Sequence, residues 1–201
     1  MSQIKLKHSG GNGVIIAAPS SNPASDRTIT LPSDADGTLA RTLDVSFKSY
    51  AIIADVKSGG NNGGTCTSGA GRTRELNTEI ADDDGIVSIS SNQFTLQAGT
   101  YRISASACVH RSERHQLALY NVTDTSFVQK GINSYAQGGD VVTNAVLLSK
   151  FTITGAKVFE IQHRCQSTES DEGFGIKIQT GNSNGWDTDE VYCLVEIFKE
   201  V

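Results

Sequence analysis

Beyond position 46 the chain alternates apolar and polar residues with a period of two, and no stretch sustains the 3.6-residue period of a helix. The runs are "SYAIIADV", "GIVSI", "QFTLQ", "TYRISASACV", "HQLALYN", "SFVQKGI", "TNAVLLSKFTI", "KVFEIQHRC", "FGIKIQ" and "VYCLVEIFK". They are rich in β-branched and aromatic residues, which fit a pleated, half-buried surface. Between them stand "DDDG", "QAGT", "QGGD", "TGAK" and "GNSNG", all turn signals. About ten short strands joined by regular turns predict an all-β antiparallel sandwich. The 20 glycines and the apolar share of 37% suit such a turn-rich chain.

Prolines and aromatics divide the chain. Pro19, Pro23 and Pro32 are its only prolines, while every Phe, Tyr and Trp lies at Phe47 or later. Large rings dominate core burial. We therefore expect an extension over residues 1–46 and a globular domain over 47–201. The extension carries the β-prone runs "IKLKH", "GVIIAA" and "RTITLP", separated by Gly, Pro, Asn and Asp. Hairpins of this kind are marginal alone and become stable against copies of themselves or against a partner.

The totals exclude several classes. The net charge is −5 and no Lys/Arg cluster stands out, which argues against a nucleic-acid partner. No apolar run is long enough for membrane insertion, and the N-terminal residues lack a signal-peptide core. Cys66, Cys108, Cys165 and Cys193 form no C-x-x-C pair, so free thiols are expected rather than a zinc site. Nucleophile-elbow, zincin and P-loop motifs are absent. The Gly-rich "KSGGNNGGTCTSGAGR" lacks the Lys-Ser/Thr pair of a phosphate cradle and reads as a flexible surface loop. "DDDG" at Asp82–Gly85 reads as a turn rather than a cation site. His110, His115 and His163 read as solvated or half-buried. "NVT" at Asn121 is a glycosylation sequon that matters only in a secreted chain. Hydrolysis of polysaccharide needs a placed carboxylate pair, and none stands out. No enzyme, metal or cofactor is expected.

The last strand carries a further message. Val191, Cys193, Val195 and Ile197 alternate with Tyr192, Leu194, Glu196 and Phe198, so both faces are largely apolar. A sandwich strand in a monomer is polar outside. With no helix to cover it, the outer face predicts self-association in a closed symmetric assembly.

Three segments carry a resemblance. "NQFTLQAGTYRISASACV", "LLSKFTITGAKVFEIQHRC" and the closing "VYCLVEIFKEV" resemble, in order, landmarks of tumour-necrosis-factor-like and complement-type globular heads. The resemblance covers roughly 49–201. It implies a ten-stranded jelly roll forming a homotrimer, with Tyr192, Leu194 and Phe198 near the three-fold axis. Under that reading Cys108 and Cys193 lie on neighbouring strands, as two buried thiols in preference to a disulfide. The stretch "GGNGVIIAAPSSNPASDRTITLPSDADGTL" resembles an N-terminal cassette of tailed-bacteriophage structural proteins, especially those of cyanophages. It implies that residues 1–46 dock to other virion proteins.

In a jelly roll of this kind the loops 57–73, 110–114, 136–141 and 182–190 gather at the end away from the termini. Loops on a rigid scaffold are where binding concentrates. Trp186, flanked by Asn182, Asn184 and Asp187, suits sugar stacking, a protein contact or packing on its own domain. Arg111 and Arg114 suit an anionic glycan. The resulting expectation is a trimeric virion appendage such as a tail fibre, assembled in the host cytoplasm, that binds a host surface receptor. The alternative is a capsid head fibre or decoration protein with no receptor role.

Overall fold

Among the described residues the chain forms fourteen β-strands and no helix. The computed structural model describes residues 3–7, 10–11, 13–17, 49–137, 139–178 and 189–200. The chain separates into two units, Met1–Ala40 and Arg41–Val201. The boundary expected between 46 and 47 lies outside the described residues, as does "RTITLP". In the first unit β1 (Gln3–Lys7) and β2 (Gly13–Ala17) pair as an antiparallel hairpin, Ile4 in register with Ile16 and Leu6 with Val14.

The second unit opens with β3 (Ser49–Ser58), β4 (Arg72–Thr73), β5 (Thr78–Ala81), β6 (Val87–Ser90), β7 (Gln93–Leu96) and β8 (Gly99–His110). It continues with β9 (Glu113–Asn121), β10 (Ser126–Lys130), β11 (Ser134–Ala136), β12 (Val142–Ile153), β13 (Lys157–Cys165) and β14 (Asp189–Lys199). One sheet runs β12-β8-β14-β3-β5. The other runs β10-β9-β13-β7-β6, with β11 beside β9 and β4 beside β13. Four antiparallel pairings nest one inside another: β9 with β10, β8 with β12, β7 with β13 and β3 with β14. This rolled-up hairpin is the connectivity of a jelly roll. The inner faces meet in one core, where Phe94, Leu117, Leu119, Phe159 and Ile161 of one sheet pack with Ile53, Ile103, Leu147 and Val195 of the other. Ala51, Ala105, Ala107 and Ala145 make room for the rings of that core.

Three expectations change. "FGIKIQ" is not a strand: Phe174–Ile178 is irregular, and Gln179 lies outside the described residues. Its backbone bonds go to loop partners instead of a ladder, with Phe174 N donating to Gly64 O at 2.8 Å and Gly175 N to Glu172 O at 2.9 Å. The Gly-rich stretch after β3 is not a free loop. Gly63, Gly64 and Cys66 donate their backbone N–H groups to Gly175, Asp171 and Glu169 carbonyls at 2.7–3.0 Å, lacing it to the segment after β13. In β14 the alternation breaks at a bulge. Val191 pairs with Val56 and Cys193 with Asp55, so Tyr192 is the additional residue. Tyr192 and Cys193 are both buried, while Val191 and Leu194 are exposed.

The strand directions bring the loops 57–73, 110–114 and 136–141 to one end, as expected. His110 N donates to Gly173 O at 3.2 Å and Arg111 N to Val141 O at 3.4 Å. Asp82 forms the expected turn: its carboxylate accepts from Ile86 N at 2.8 Å and Val87 N at 3.0 Å.

Candidate functional site

The loop end carries an open depression of about 640 Å3. β9 and β13 pair so that Arg164 lies opposite Gln116 and Cys165 opposite His115. Alternation then sends Arg114, Gln116 and Arg164 to the outer face and His115 and Cys165 inward. Arg114 and Arg164 are exposed, and both line the depression with Gln116, Asn133, Ser134 and Gln166. Arg114 Nη1 donates to Gln166 Oε1 at 2.7 Å, and its guanidinium lies 5.9 Å from the Tyr135 ring. Gln116 Nε2 donates to Gly131 O at 2.9 Å. No carboxylate is among the lining residues. Two guanidinium forks with neighbouring amides and hydroxyls suit a carboxylate, sulfate or phosphate that also bears hydroxyl groups.

A buried polar layer supports this surface. His115 Nδ1 lies 2.9 Å from His163 Nε2, and His115 Nε2 lies 2.8 Å from Thr143 Oγ1. His110, His115 and His163 are all buried, contrary to the solvated reading. Burial lowers the His115 pKa to about 4. Burial, then Arg74, then His115 hold His163 well below its ordinary value. Both rings are neutral at pH 7. Arg74 is wholly buried and stacks over Phe174 at 4.2 Å. It donates to the carbonyls of Tyr192 at 2.8 Å, Phe174 at 3.2 Å and Cys108 at 3.3 Å, and pairs with Asp55 at 3.4 Å. Burial pushes the Asp55 carboxyl up against the pull of Arg74. Among the described residues no three His, Cys, Asp or Glu side chains are placed to hold a metal ion.

The structure separates the expected site residues. Arg114 lines the depression, whereas Arg111 is engaged by Asp140 and by Gly139 O. Asn182, Asn184, Trp186 and Asp187 lie outside the described residues. Leu194 is exposed on the outer sheet face and Phe198 is half-buried beside Tyr50, ring centroids 4.8 Å apart. Tyr192 is turned inward by the bulge, its hydroxyl donating to Asn61 O at 2.7 Å. The outer face holds two shallow hollows. Ile52, Ile80 and Leu194 border one of about 250 Å3, and Leu148 and Phe198 border one of about 200 Å3. Both reach Ser104, whose small side chain leaves the centre of the face low. Sequence reasoning missed Arg164, Gln166 and Arg74. The period-two spacing in "EIQHRC" does place Arg164 on the polar face, so that signal was present. The buried role of Arg74 had none.

Cys193 is in register with Ala107, and Cys108 turns its thiol to Phe174 O at 3.2 Å, so these two thiols do not meet as a pair. All four cysteines are free.

No protein-family model and no curated protein sequence matches the chain. Solved structures do. The chain is similar to the globular domain of zebrafish complement 1qA protein, at 12% identity over 76% of this chain and 97% of that one, with a TM-score of 0.47. It is similar to the PRD1 vertex protein P5, at 12% identity over 77% and 99%, with a TM-score of 0.49. Murine APRIL at pH 8.5 gives 7% identity over 75% and 98%, with a TM-score of 0.43. The fold assignment itself stands on the strand order and nested pairings.

Proposed function

We propose that this chain is a structural protein of a tailed-phage virion, an external appendage such as a tail fibre, that binds an anionic glycan on the host surface. Residues 1–46 attach it to other virion proteins, as the resemblance of that stretch implies. The observation that carries the binding role is the depression lined by Arg114 and Arg164 with no carboxylate among its lining residues. It lies at the end of the sandwich away from Ser49 and Lys199. The exposed apolar residues on the outer sheet face support a homotrimer. Three copies then present three equal depressions, and weak single contacts gain by avidity on a repeating saccharide. The protein acts by binding, without covalent chemistry.

Two measurements test this. On a glycan array the full chain retains carboxylated or sulfated saccharides, and Arg114→Ala or Arg164→Ala weakens retention at least about tenfold. Retention unchanged in both variants rejects the site. Immunogold label on intact virions falls at the tail. Label scattered over the capsid, with no saccharide bound, makes the protein a head fibre or decoration protein instead.

A further inference from the structure

Two of the four cysteines are accounted for by their surroundings and two are not. Cys193 belongs to the main core, and Cys108 is held by its bond to Phe174 O. Cys66 and Cys165 form a separate small buried cluster with Phe174. The two side chains sit together in that cluster, and each thiol shifts the acidity of the other. The backbone on the Cys66 side is held in place: Cys66 N donates to Glu169 O at 3.0 Å and Glu169 N to Cys66 O at 3.1 Å. Cys165 closes β13 in register with His115. A disulfide asks for two sulfurs already close on backbones that need little adjustment. Access is one-sided, because Cys165 lines the arginine-bearing depression and Cys66 lies wholly behind it. Their acidities differ in the same sense. Cys66 first, and then Arg72, favour the Cys165 thiolate against the opposing effect of burial, while the Cys66 thiol is pushed up.

We propose that Cys66 and Cys165 form a disulfide when the protein enters an oxidising environment, stapling the segment after β3 to the end of β13. The oxidant is a small disulfide of the glutathione type, whose carboxylates suit the two arginines at the entrance. The Cys165 thiolate attacks one sulfur of the oxidant, forms a mixed disulfide and releases one thiolate. Cys66 then gives up its proton, and its sulfur attacks the Cys165 sulfur. That step breaks the mixed S–S bond, forms the internal one and releases the second thiolate. The protein loses two protons and two electrons, and the oxidant becomes two thiols.

The test uses the full chain incubated with oxidised glutathione, alkylated without reduction and digested with trypsin. The four cysteines fall on four different tryptic peptides, so the pairing reads out directly. The expected product is lighter by two hydrogens and links peptide 58–72 to peptide 165–177. Because the bridge closes a loop of about a hundred residues, oxidation raises the unfolding midpoint by about 10 °C, and reductant reverses it. Cys66→Ser and Cys165→Ser abolish the rise. Any other pairing, a mixed disulfide that persists on Cys165, or a midpoint unmoved by oxidation overturns the proposal. The peptide map is read on the unaltered chain, so a variant that fails to fold does not obscure the result.

Discussion

A single side chain, Arg74, ties together the loop end of the sandwich. Its guanidinium serves carbonyls from β8, β14 and the segment after β13, and neutralises the buried Asp55. Removing one member of a buried pair costs more than the pair contributes, because the remaining charge has no water to turn to. Arg74→Ala is therefore expected to lower stability in urea by roughly 3–5 kcal/mol. Adding Asp55→Ala to it recovers part of that loss, because the buried carboxylate, left with Lys57 alone at 3.6 Å, is gone; a strictly additive double variant counts against the pairing. The histidine pair makes a second prediction. Unfolded histidines titrate near pH 6.5, whereas folded His115 titrates at about 4 and His163 well below its ordinary value. Between those values the unfolded chain binds protons that the folded one does not, so stability falls as pH drops from about 6.5 towards 4. The raised Asp55 carboxyl works in the opposite sense at the acid end, where folded Asp55 takes up its proton first. The measurement is stability in urea at pH 7 and at pH 4.5, with the lower value expected at pH 4.5. His115→Gln together with His163→Gln flattens that slope, and an unchanged slope would place the acid sensitivity elsewhere.

At the level of elements, the strap formed by the segments after β3 and β13 depends on backbones that nearly touch. A Cβ placed on Gly173 falls 2.4 Å from Glu169 O and 2.5 Å from Cys66 N, both backbone atoms that cannot swing aside. Gly155, in the turn between β12 and β13, has nothing within 4 Å and no left-handed backbone. Gly173→Ala is expected to cost roughly 1–3 kcal/mol, while Gly155→Ala leaves stability level or slightly raised. Thermal unfolding of the two variants side by side decides it, and equal midpoints reject the close approach. The same contrast explains what could be read in advance. β8 was legible because it is long and alternates, and β12 and β13 because they are long and rich in β-branched and aromatic residues, which are properties of the sequence itself. The strands β4, β5 and β11, with 2, 4 and 3 residues, are too short to show a period. The Tyr192 bulge was hidden because an inserted residue changes register without changing composition. Arg114 and Arg164 share a depression only because β9 and β13 pair with Arg164 opposite Gln116, and no local pattern specifies the register of strands so far apart in the chain. The buried roles of Arg74 and His163 were invisible for a related reason: "GRTREL" and "IQHRC" look like ordinary half-exposed segments until the loops close over them.

At the scale of the whole molecule, the outer face of the β12-β8-β14-β3-β5 sheet carries the proposed assembly. Its exposed apolar residues fall into two groups. Ile80 and Leu194 lie towards β5, and Leu148 lies at the β12 edge, where Ile132 is held by its N–H bond to Val146 O at 2.8 Å. A ring of three requires each copy to offer two different patches, one for each neighbour, whereas a two-fold dimer uses one patch twice. The proposed homotrimer therefore joins the β12-edge patch of one copy to the β14-β3-β5 patch of the next. Light scattering should give three times the 21.4 kDa chain mass. Leu194→Asp buries an unpaired carboxylate at one patch and Ile132→Asp at the other, and each weakens association by at least about 100-fold. The two variants mixed together separate the geometries. In a ring, the intact edge of the Leu194→Asp chain still meets the intact face of the Ile132→Asp chain, and a heterodimer of one copy each appears. In a two-fold dimer built on the Leu194 face, Ile132→Asp leaves association untouched and mixing forms nothing new. A chain that stays monomeric before any substitution removes the assembly altogether. The glycan would then be held by one depression without avidity, and saccharide retention on a dense surface would match that of a single soluble ligand.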